Sequence, residues 1–93
     1  MRLRREGSAP VSALRNLGPK SAMMLAEAGI ATLDELEVLG AVKAYARVKA
    51  LRPKFESLNL LWALAAGLED RHWNDLSRYQ KDALLAELKS LRR

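Results

Sequence analysis

The segment Leu14-Arg15-Asn16-Leu17-Gly18-Pro19-Lys20-Ser21-Ala22, followed by Ala26-Glu27-Ala28-Gly29-Ile30-Ala31-Thr32, sets a turn, a helix and a helix stop in immediate succession. Pro19 suits a first helical position, having a fixed φ and no N–H to satisfy, and Gly29 supplies a left-handed cap after Ala28. The same punctuation recurs down the chain. Thr32 with Glu35 predicts a capping box for a helix over Leu33 to Leu39, which Gly40 stops. A further helix runs from about Ala41 to Arg52 and ends at Pro53. Leu58 to Leu68 reads as a helix that is apolar almost all round, so it belongs in a core or an interface. The last helix begins at Ser77, where Gln80 completes a second capping box, and Leu84, Leu88 and Leu91 form one stripe. Its basic end, Lys89 with Arg92 and Arg93, complements the helix dipole. With a short opening helix over Val11 to Asn16, the pattern predicts six helices and no sheet, because no period-two alternation persists beyond a few residues.

An all-α fold of this size has room for one core. At 93 residues and 49% hydrophobic composition, the chain can build it without disulfides, and the lack of Cys removes thiol chemistry. A reducing, cytoplasmic setting fits. Arg2, Arg4 and Arg5 have no apolar run behind them, and no apolar stretch approaches the length of a membrane span. Residues 1–10 contain a single Leu and end in Gly7-Ser8-Ala9-Pro10, so they are expected to be a flexible basic arm preceding a helical domain over 11–93. The net charge of +5 is spread along the chain rather than concentrated, a weak pointer to nucleic acid.

The turn at residues 14–22 carries the chemistry. Its order of elements is the helix-hairpin-helix motif, which commonly has two glycines separated by an apolar residue. Here the second is Gly18, and Asn16, the non-glycine residue most tolerant of positive φ, replaces the first. In that geometry the N–H groups of Gly18, Lys20 and Ser21 point at a phosphate, and the Lys20 ammonium and Ser21 hydroxyl add contacts. Gly18 is expected to hold a conformation that a side chain resists. The plainer reading is that Leu17 plugs the core, Gly18 turns the chain and Ser21 helps cap the helix.

Lys43, Arg47 and Lys54 fall on one side of the fourth helix, opposite Val42, Tyr45 and Val48, and are candidate auxiliary contacts. A stripe of this kind also serves simply as a solvated face. Trp62 and Trp73 are candidates for stacking on bases, but their settings favour core packing, with the Trp73 N–H directed at a backbone carbonyl. His72 is the sole histidine, without Cys or a second His to complete a metal set, and the paired acids stand at helix ends. No catalytic group, metal or cofactor is expected.

Beyond the hairpin, Ala28-Gly29-Ile30 with Thr32, Leu39-Gly40-Ala41 with Tyr45, and Ser57-Leu58-Asn59-Leu60-Leu61-Trp62-Ala63-Leu64 with Gly67-Leu68 and Trp73 extend the pattern. Together they resemble the C-terminal domain of the TfoX (Sxy) family over about residues 11–91. The hairpin itself is also similar to one in the C-terminal domain of the RNA polymerase α chain. The resemblance implies a compact helical domain related to helix-hairpin-helix folds, in a family associated with bacterial competence regulation. Full-length members carry another domain before this one, so activation of competence is not carried over to this chain. The expected function is weak, sequence-independent contact with double-stranded DNA in a regulatory setting, through Gly18, Lys20 and Ser21. The alternative is an adaptor whose partner is a protein such as a transcription regulator, with a purely structural hairpin.

Overall fold

A computed structural model describes residues 9–14, 16–54 and 57–91. Five α-helices account for most of them: α1 (Pro19–Glu27), α2 (Leu33–Leu39), α3 (Ala41–Leu51), α4 (Asn59–Leu68) and α5 (Arg78–Leu91). Short 3₁₀ turns at Val11–Ala13 and Trp73–Asp75 complete the order, and the described residues contain no strand.

The expected opening helix is thus a single 3₁₀ turn. The Val11 N–H donates to the Ala31 carbonyl at 3.0 Å and the Leu33 N–H to the Ala9 carbonyl at 2.9 Å, so Pro10 is paired antiparallel with Thr32 just before the turn. Too few residues then remain before the Gly18-Pro19 corner for an α-helix to nucleate. Of the expected arm, residues 1–8 lie outside the described residues, whereas Ala9 and Pro10 are held by this pairing.

The other boundaries follow local chemistry. α1 ends in a Schellman arrangement, with Gly29 N–H on the Ala26 carbonyl at 3.0 Å, Ile30 N–H on Leu25 at 2.9 Å and Gly29 at φ 86°. Thr32 and Glu35 form the reciprocal box that starts α2. Ser77 and Gln80 do the same before α5, at 2.9 and 3.1 Å. The basic pair Arg92 and Arg93 lies outside the described residues.

The core is built from one face of every helix. α4 contributes Leu60, Leu61, Trp62, Leu64 and Ala66, all buried, as its apolar sequence predicts. α3 is nevertheless the hub, packing against α1, α2, α4 and α5 through buried Ala41, Val42, Ala44, Tyr45 and Val48. α5 has no fully buried residue and leans on the core with Leu84, Leu85 and Leu88. Lys81 closes that contact, its ammonium 5.4 Å from the centre of the buried Trp62 ring. Trp62 is therefore a core residue. The Trp73 side chain lies outside the described residues.

Candidate nucleic-acid interface at the hairpin

The turn before α1 distributes its strain differently from the sequence expectation. Asn16 takes the left-handed conformation at φ 79°, in accord with its tolerance of positive φ. Gly18 does not: its φ is −94° and its ψ 178°, and a Cβ there would meet nothing within 4 Å. The expectation that Gly18 resists a side chain is therefore wrong. Pro19 is the reason, because its Cδ excludes the α region for the residue before it and leaves Gly18 extended. The chain reversal falls instead to Asn16, flanked by half-buried Leu14 and Leu17 packed against the core.

Gly18 is the N-cap of α1 and offers no side-chain cap. The first intrahelical bond is Ala22 N–H to the Gly18 carbonyl at 3.1 Å, so the N–H groups of Lys20 and Ser21 precede it. The first turn carries no acidic residue. These are the conditions under which a helix start favours an anion.

Lys20 and Ser21 open onto a groove of about 410 Å³ that is also lined by Asn16, Met24, Ser57, Asn59, Leu60 and Ala63. Lys20 is exposed and Ser21 half-buried. The far wall is the start of α4, whose position is braced from the core. The Tyr45 hydroxyl donates to the Ser57 carbonyl at 3.1 Å, and Ser57 Oγ accepts from the Asn59 N–H at 3.1 Å. Burial pushes the Tyr45 phenol above its ordinary value, so it stays a neutral donor there. The described lining residues mix polar Asn16, Lys20, Ser21, Ser57 and Asn59 with apolar Met24, Leu60 and Ala63, and no carboxylate is among them. Ser57 and Asn59 escaped the sequence reading, because nothing in the Ser-Leu-Asn run shows which helix start will stand opposite the hairpin.

The auxiliary cations do not join this groove. Lys43, Arg47 and Lys54 are exposed, and Val42, Tyr45 and Val48 are buried on the other side of α3, as the periodicity predicts. None of the three lines the hairpin groove. Arg47 stands beside Gly29 at the opposite end of α1, in a second groove that includes Asp34 and Glu35. Arg52 pairs with Glu27 at 2.7 Å. Among the described residues lining the hairpin groove Lys20 is the cation, and the stripe adds none. Among the described residues no three His, Cys, Asp or Glu side chains group as metal ligands would, and no helix is long and apolar enough to cross a membrane.

A model of the TfoX C-terminal domain matches residues 7–88. The chain belongs to that family. The family match thus takes in the hairpin, both walls of the groove and most of α5. A crystal structure of an uncharacterized protein from Listeria monocytogenes is similar in fold, with a TM-score of 0.78 and 28% identity. The match covers 90% of this chain and 94% of that one, so the shared fold is nearly the whole of both. No curated protein matches the chain.

Proposed function

We propose that this member of the TfoX C-terminal domain family is a non-enzymatic, cytoplasmic domain that contacts the phosphate backbone of double-stranded DNA, without reading sequence, in competence-type transcription regulation. The observation that carries the reading is the groove in which Lys20, Ser21 and the uncapped start of α1 face Ser57 and Asn59, with no carboxylate among its described lining residues. Gly18, Lys20 and Ser21 are the phosphate ligands: backbone N–H groups orient the anion and the ammonium adds charge. Binding falls near the non-specific range of ~10⁻⁴–10⁻⁶ M at physiological salt and weakens with a log–log slope of about −0.9 per phosphate neutralised.

The test is fluorescence anisotropy on random duplex DNA over a salt series. Lys20→Glu lowers affinity and makes the slope shallower, and Lys89→Glu, on the exposed last turn of α5, serves as the remote charge control. Equal losses in the two variants would mean diffuse attraction to a basic protein.

A second reading, the adaptor, has its own observation. Val38 is 87% and Leu51 57% exposed, and they line the two grooves that meet at Arg47, among mixed charges at the end of α1 away from the hairpin. Wild-type protein that fails to bind DNA even at low salt makes this surface, with a protein partner such as a transcription regulator, the better account.

A further inference from the structure

Among the described residues only Asn16 and Asp70 are non-glycine residues with positive φ, at 79° and 57°, and they meet at one junction. The Asn16 amide Nδ2 donates to the Arg71 carbonyl at 2.8 Å, across 55 residues of sequence. That acceptor is fixed from three sides. Asp70 N–H on the Gly67 carbonyl at 2.9 Å and Arg71 N–H on Ala66 at 2.8 Å close a Schellman cap on α4, with Asp70 in the left-handed position. The Arg71 guanidinium then bridges Glu69 Oε1 at 3.0 Å and the Asp75 carbonyl at 2.6 Å, so the whole turn after α4 is braced on itself.

We propose that Asn16 is a positioning residue for the hairpin groove, and that the turn between α4 and α5 holds the groove's edge, and the Gly18 N–H, in the geometry that receives a phosphate. The proposal rests on the phosphate-contact reading above. α1 itself is pinned to the core by Met24 and Leu25, beyond its first turn, and this leaves the loop before it to be fixed separately. Leu14 and Leu17 anchor that loop in depth, but an apolar plug does not set rotation about its own axis. Gly18 cannot set it either, since it is exposed, extended and without neighbours around its Cα. The Leu17 N–H donates to the Leu14 carbonyl at 3.2 Å within the loop, and the directional contact that ties the loop to a distant part of the fold is the Asn16 amide, which lines the same groove as Lys20 and Ser21. A left-handed residue costs conformational energy and persists where the surroundings over-determine it, and here the surroundings are the braced end of the most apolar helix.

The test separates aim from stability. Asn16→Gly keeps the left-handed conformation available and removes the side chain with its amide. At a temperature where both chains are fully folded, its Kd for random duplex DNA is expected to rise about three- to tenfold, the weight of one hydrogen bond. Its salt slope should become shallower by about 0.9, one phosphate contact. An unchanged Kd and slope beside a lowered Tm would show a merely structural hydrogen bond and overturn the proposal. Failure of the wild type to bind DNA would sink the phosphate reading instead, so a second readout is taken on the free protein by NMR. The heteronuclear 15N NOE of the Gly18 amide, which reads the mobility of the loop, should fall in Asn16→Gly. It should also fall in Asn16→Asp, which keeps the size and the left-handed tolerance but, when ionised, cannot donate. A wild-type NOE in both variants would overturn the positioning role whatever DNA does.

Discussion

Gly40 is one of two glycines with positive φ among the described residues. It closes α2, opens α3 and sits at φ 88° and ψ 162°, a region essentially reserved for glycine. A Cβ built there meets nothing within 4 Å, so the cost of Gly40→Ala is backbone strain alone. That strain is about 1–3 kcal/mol. Stiffening of the unfolded chain returns about 0.4–1 kcal/mol, which leaves a net loss of up to about 2.5 kcal/mol, centred near about 1.3 kcal/mol. For a domain of this size each kcal/mol moves the midpoint by about 4–8 °C, so at the centre of that range Tm should fall by about 5–10 °C. Gly18→Ala is the matched control, with equally open space but an extended backbone. Its stiffening gain is offset by the poorer N-cap that Ala makes, and the change should stay within about 1 kcal/mol. Thermal melts followed by circular dichroism at 222 nm decide the matter: if Gly18→Ala falls as far as Gly40→Ala, the assignment of strain to Asn16 and Gly40 rather than Gly18 is refuted.

Two further predictions concern the core and the caps. Leu64 is wholly buried, so Leu64→Ala should cost about 2–5 kcal/mol by urea denaturation, whereas Leu91→Ala, 41% exposed at the end of α5, should cost far less. Glu35 accepts from the N–H groups of Ala31 at 2.8 Å and Thr32 at 3.1 Å, and these bonds, Ala31's foremost, hold its carboxyl below the ordinary 4.5. A folded value below the unfolded one gives stability that is present above the unfolded value and lost as pH falls through the folded one. The Tm difference between wild type and Glu35→Gln should therefore be full at neutral pH and shrink below about pH 4; a difference constant down to pH 2 would deny the carboxylate its role.

Local chemistry made most of the fold legible in the sequence. Capping boxes at Thr32/Glu35 and Ser77/Gln80, the Gly29 and Gly40 stops and Pro19 at a first turn each act within a few residues, so helix boundaries could be read directly. What escaped was decided at long range. The opening helix was lost to pairing with residues 31–33, a competition invisible within residues 11–16. The role of α3 as hub was hidden because periodicity reports how apolar a helix face is, not how many neighbours it meets. At the hairpin, the sequence marked Lys20 and Ser21 but not the opposite wall at Ser57 and Asn59, nor the Arg71 carbonyl that fixes Asn16.

The placement of charge limits what such a site can do. α1 has nine residues and therefore rises about 13 Å, with Lys20 at one end and Arg47 beside the other. At physiological ionic strength the screening length is about 8 Å, so the two cations act as separate centres and do not sum into one field. Arg47 is further offset by Asp34 and Glu35 in its own groove. A hairpin acting alone engages few phosphates, and its salt slope should correspond to one or two of them. Backbone contacts of that number position a protein on duplex DNA but carry no base readout. If this domain serves at a particular promoter, the choice of site must come from whatever it binds with the rest of its surface. The exposed Val38 and Leu51 line grooves apart from the hairpin, so on the proposed function a partner there leaves Lys20 and Ser21 open to phosphate. The two readings are then compatible, and Lys20→Glu and Val38→Asp should separate them: the first should weaken DNA binding and spare the partner, and the second the reverse.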